Sequence, residues 1–116
     1  MTITRIGAGP RMSKAVIHGD TVYLAGQVAD AAKGKSVGEQ TKDILQQIDA
    51  ILAEAGTDKS KILSTNIWLA DISTFAEMNA EWDAWVVPGA TPARATVEAK
   101  LAAPIYTVEI MMTVAR

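Results

Sequence analysis

The chain has 116 residues, 49% hydrophobic and 21% charged, with a formal net charge of −2 and a pI near 5.3. That balance suits one globular domain over residues 1–116, and the scattered Lys and Arg offer no track for nucleic acid. There is no cysteine and one histidine, His18, which excludes disulfides, thiolate nucleophiles, multi-histidine metal sites and the usual Ser-His-Asp triad.

The opening Met1-Thr2-Ile3-Thr4-Arg5 lacks the apolar core of a signal peptide, and no window approaches a membrane span. The expectation is a cytoplasmic protein with no membrane partner. Ala15-Val16-Ile17-His18 and Thr21-Val22-Tyr23-Leu24 flank Gly19-Asp20, which predicts a hairpin with His18 at a solvent-facing strand end. Gly26 follows the second run, where a bulge or a close backbone approach favours glycine.

Ser36 to Ala55 reads as a helix. Ser36 and Glu39 make a capping-box pattern, and Val37, Thr41, Ile44, Leu45, Ile48, Ile51, Leu52 and Ala55 recur at steps of three and four. Gly56 supplies the stop. Lys61 to Ala70 alternates as a strand. A second helix is predicted from about Ser73 to Val87, with Phe75, Met78, Trp82, Trp85 and Val86 on one face and Pro88-Gly89 ending it. Ala93 to Leu101 and Tyr106 to Val114 read as two closing strands that turn near Ala102-Ala103-Pro104.

The order β-β-α-β-α-β-β predicts an α+β fold with two long helices on one face of a mixed sheet. Val97, Ile110, Met112 and Val114 make the closing strands apolar, so the second sheet face is expected to be covered by another copy of the chain.

Thr91-Pro92-Ala93-Arg94-Ala95-Thr96-Val97-Glu98 resembles the most specific stretch of the Rid (YjgF-like) imine/enamine deaminase family, a Pro-X-Arg opening into a strand that ends in Val-Glu. Leu24-Ala25-Gly26-Gln27, Ala55-Gly56 with Lys61-Ile62, Phe75-Ala76-Glu77-Met78-Asn79 and Thr107-Val108-Glu109-Ile110 resemble further family segments, collinear over nearly the whole chain. Asp83-Ala84-Trp85-Val86-Val87 and the Arg-Ile opening are most similar to the YoaB-like branch. The resemblance implies a chorismate-mutase-like fold, a homotrimer with sites between subunits, no cofactor or metal, and hydrolysis of small 2-imino acids to 2-keto acids and ammonia. Such imines escape from pyridoxal-phosphate enzymes, so the implied role is detoxification.

On the same resemblance Arg94 grips the substrate carboxylate, a task its planar guanidinium suits by offering two parallel hydrogen bonds. The backbone amide near Thr96 adds a donor, Glu109 orders the attacking water or accepts its proton, Asn79 lines or braces the cleft, and Gly26 lets the backbone approach the ligand. Two substrate-contact positions depart from the family pattern. Met12 stands where many active members carry Tyr, and Ala25 where they carry the Ser of Ser-Gly-Gln; in addition, Thr96 stands where Cys is frequent. A non-catalytic binder of small carboxylates on the same scaffold is therefore the alternative. Chorismate mutation is a third reading, opposed by the shortage of convergent cations. The residues also admit plainer roles: Arg94 and Glu109 as ion-pair partners, with Glu98 a second partner for Arg94, Asn79 as a helix-surface side chain, and Trp68, Trp82 and Trp85 as core or interface.

Overall fold

Alternation with a period of two gathers seven strands into one sheet. The computed structural model describes residues 1–116. Strands β1 (Ile3–Ile6), β2 (Ala15–His18), β3 (Thr21–Leu24) and β4 (Gln27–Val28) precede helix α1 (Val37–Glu54). Strand β5 (Ile62–Leu69), helix α2 (Phe75–Trp85) and strands β6 (Ala93–Glu98) and β7 (Val108–Ala115) complete the chain. The strands lie in the order β1-β2-β3-β7-β5-β6, with β4 beside β3 on the same edge of β7. Only β5 and β6 run parallel.

The α+β architecture follows the sequence reading, with three differences. β1 and β4 are additional strands: β1 buries only Ile6 and β4 has two residues, so neither carries a legible alternation. The closing strands do not form a hairpin, because β5 lies between β6 and β7. The predicted outward apolar set is also divided. Ile110, Met112 and Val114 are buried toward the helices, and only Val97 faces outward, half exposed at 50%.

The core is built where β5 and β7 pair. Thr65, Ile67 and Leu69 lie opposite Met112, Ile110 and Val108, all buried under the helices. A β-bulge at Leu63 brings Ile62 into phase with them. α1 lays Ile44, Leu45, Ile48 and Leu52 on this surface, each almost fully buried. Its start is capped as expected, with the Glu39 amide donating to Ser36 Oγ at 3.2 Å. The Glu39 carboxylate takes the Ser36 hydroxyl rather than the Ser36 amide, so the capping box is half realised. Gly56, at φ 79°, ends the helix, and the Thr57 amide donates to Leu52 O at 3.0 Å.

α2 starts later than predicted because Asp71 first nucleates a short 3₁₀ turn over Ile72–Thr74, accepting from the Ser73 hydroxyl and amide. α2 then packs along α1, and Glu77 Oε2 accepts from the Gly38 amide at 2.7 Å. One helix thereby caps the positive end of the other. Gln40, fully buried in α1, donates to Lys35 O and Ile105 O and accepts from the Thr107 amide. These bonds staple the segment before β7 to α1.

Asp43 holds the loop after β4. Burial works to raise its carboxyl, but the amides of Ala32 and Asp30, with Gln47 and the Ala31 amide, outweigh it and hold the group below its ordinary 3.8. A lowered folded value means a stabilising contribution that is complete above 3.8 and is lost as pH falls through the folded value. Asp43→Asn is expected to narrow the stability gap from wild type as pH drops below about 4. Urea denaturation at neutral pH and in that acid range checks this; a gap that is constant throughout would contradict it.

Candidate functional site

Arg94 lies on β6, the edge strand, opposite Thr65 of β5. Because Thr65 faces the helices, the register turns Arg94 and Thr96 toward α2 and turns Ala93, Ala95 and Val97 to the other face. Arg94 is half-buried. Its Nη1 donates to Asn79 Oδ1 at 2.8 Å, and its Cζ lies 5.3 Å from the Trp82 ring centre and 5.7 Å from that of Phe75. The ion-pair reading does not hold: the one salt bridge is Lys33–Asp30, and Glu98 Oε2 accepts instead from the Ile72 amide at 3.0 Å. The result is a cation held by an amide and two rings, with no carboxylate beside it. Thr96 Oγ1, two residues along the same face, is buried without a hydrogen-bond partner.

Glu109 belongs to the opposite side of the sheet. It lies in a row with Val28, Trp68 and Val97, flanked by buried Val108 and Ile110, which point the other way. Gly26 faces it closely. A Cβ added there would collide with Glu109 Oε2 and come within 3.0 Å of Cδ. What the backbone at Gly26 approaches closely is the Glu109 side chain.

The sequence-predicted residues thus fall into two groups within one chain. Arg94, Asn79 and Thr96 share the helix side of β6; Gly26 and Glu109 share the outer side of β7, with Ala25 next to Gly26 in the chain. Ala25 is half-buried, its carbonyl accepting from Gln27 Nε2 at 2.8 Å. Met12 is 57% exposed in the loop between β1 and β2. Neither shares a hydrogen bond with the Arg94 group. A cavity of about 580 Å³ lies elsewhere, between Ala70, Glu98 and the Leu101–Pro104 segment.

Sequence reasoning missed Phe75 and Trp82 as neighbours of Arg94, placing them only on an apolar helix face. The available signal was Asn79, a polar residue four positions after Phe75 and three before Trp82, so on the same helical stripe. Of the other tryptophans, Trp68 is half-buried on the outer face, and Trp85 packs on the core with its Nε1 donating to Asp49 at 3.0 Å.

Residues 2–116 match the family described as Endoribonuclease L-PSP. The chain is 49% identical to the RutC family protein YoaB of Escherichia coli over 117 residues, 99% of each chain. It is 46% identical to a RutC family protein of Haemophilus influenzae over 112 residues, 97% of each. A crystal structure of a YjgF-family protein from Neisseria meningitidis superposes with a TM-score of 0.96 at 47% identity, covering 100% of this chain and 96% of that one.

Gly26→Ala should displace the Glu109 carboxylate while leaving the fold intact, because the obstructing atoms end a flexible side chain. The expected cost is about 1 kcal/mol in urea denaturation, and a crystal structure of the variant should show Glu109 in another rotamer. An unmoved Glu109 would contradict the contact.

Proposed function

The chain belongs to the endoribonuclease L-PSP family, which takes in the YjgF, RutC and Rid proteins, and on that footing we propose that it hydrolyses small 2-imino acids to 2-keto acids and ammonia. The observation that carries the reading is Arg94: a half-buried guanidinium, oriented by Asn79 and two rings, with no anion of its own. Such a group is prepared for a ligand carboxylate. The proposed assembly is a homotrimer with its sites between copies. In support, Arg94 and Glu109 point from opposite faces of one sheet, so a cleft that uses both draws one from each of two chains.

In the proposed reaction Arg94 holds the carboxylate and the amide near Thr96 adds a donor. Water attacks the C=N carbon, and Glu109 accepts its proton. That proton passes to the imine nitrogen, giving a carbinolamine; the nitrogen then takes up the proton of the new hydroxyl, the C–N bond breaks, and ammonia leaves as the carbonyl forms. General acid–base help of this kind contributes about 10²–10⁴-fold. The RNA cleavage in the family's descriptive name suits these residues less well. A net charge of −2 supplies no phosphate track, and the one histidine lies exposed at the end of β2. A non-catalytic carboxylate binder is the second reading, favoured by Met12 and Ala25, which bring no hydroxyl to the site.

With an amino-acid oxidase generating 2-iminopropanoate in place, the protein should release ammonia above the spontaneous rate, and Arg94→Ala should lower that excess about 100-fold or more. Keto-acid binding without any excess release would favour the binder. For the shared cleft, Arg94→Ala and Glu109→Ala chains, each inactive, should regain about a quarter of wild-type activity when unfolded together and refolded as mixed trimers. No recovery in mixed trimers would place both groups in one chain's site.

A further inference from the structure

We propose that the face of α2 carrying Phe75, Asn79 and Trp82 is a positioning device that fixes the Arg94 guanidinium, with Phe75 at its solvent edge setting how tightly a carboxylate is held. The proposal rests on the reading of Arg94 as the carboxylate-binding group and concerns what prepares it. Positions i, i+4 and i+7 fall on one helical stripe, roughly one turn apart. The guanidinium lies over that stripe, bonded by one N–H to Asn79 and within 5.3 and 5.7 Å of the two ring centres.

The choice of partners matters. A carboxylate beside Arg94 would neutralise its charge and occupy the paired N–H groups that a ligand needs. Aromatic rings attract the cation through their faces and accept no bidentate hydrogen bond, so they orient it without competing. Asn79 occupies one of five N–H donors and leaves the others free. Rotamer freedom that a loose arginine would lose on binding is already restricted in the folded chain.

The support behind the device is graded. Trp82 is 5% exposed and meets Trp85 at 5.7 Å between ring centres, and Trp85 is tied to Asp49 on α1. Phe75 is 40% exposed, with its ring against the cation at the rim. Trp82 is therefore committed to the core as well, and Phe75 is the member whose removal isolates the effect on Arg94.

Phe75→Leu keeps apolar bulk and removes the ring; Phe75→Trp restores an aromatic face. Two measurements on the assembled protein separate the possibilities: calorimetric affinity for pyruvate, and the ¹⁵N order parameter of the Arg94 Nε–Hε group. The Leu variant should bind pyruvate about fivefold more weakly, with a lower order parameter and a melting temperature within about 3 °C of wild type. The Trp variant should recover both. An unchanged order parameter in the Leu variant overturns the device, as does a loss that Trp fails to restore. If wild type binds no pyruvate while Arg94 still loosens in the Leu variant, the positioning stands and the carboxylate reading fails. If wild type binds pyruvate and the Leu variant binds it equally well, the positioning fails and the carboxylate reading stands.

Discussion

Side-chain alternation along β7 is the constraint from which the site's arrangement follows. Val108, Ile110, Met112 and Val114 are all buried under the helices, and each contributes about 1.5–3 kcal/mol by leaving water. A one-residue slip would expose all four, so the phase of the strand is fixed by the core. Glu109 has no freedom in the matter: it points away from the helices because its neighbours on both sides must point toward them. The same reasoning through β5 turns Arg94 the other way, since it lies beside buried Thr65. A chemistry that uses both groups has to bring two faces of the sheet together, which a second copy can do and rotamer changes cannot.

Much of the fold was legible because α1 satisfies several rules at once. Its stripe, its Ser36 cap and the Gly56 stop agree, and the observed helix matches the reading to within a residue at either end. The hairpin around Gly19-Asp20 was equally plain, with His18 exposed at its strand end. Lateral order was not legible. An alternating pattern says that a segment is a strand and leaves its neighbour unspecified, so the turn near Ala102-Ala103-Pro104 gives no sign that β5 separates the last two strands. β1 was invisible for a related reason: with only Ile6 buried, its stability as a strand comes from the ladder with β2.

Of the candidate site, local motifs point to Arg94, Glu109 and Gly26, and the Gly26–Glu109 contact gives a physical reason for glycine there. The surroundings of Arg94 were hidden by an ambiguity in helical patterning. Phe75 and Trp82 at helical spacing read as core, and Trp82 is in fact core; its second role depends on which strand lies beneath α2. Gln40 was hidden in the same way. It stands outside the apolar stripe of α1, yet it is fully buried and satisfied by the backbone of the segment leading into β7.

β6 then acts as two surfaces on one strand. Inward, Arg94 meets α2, and Thr96 ends in a buried hydroxyl without a partner. Outward, Ala93 and Ala95 are small and exposed, and Val97 is apolar and exposed. Small outward residues let a second layer come close to the strand, and an edge position leaves one side of β6 unpaired. The inward half can thus be specialised for a ligand while the outward half is specialised for packing, and a two-residue period keeps the two demands from interfering. That separation allows an unneutralised arginine at the rim of a small fold: α2 secures its charge with rings and an amide, and the apolar contacts that stabilise the fold are made by other residues.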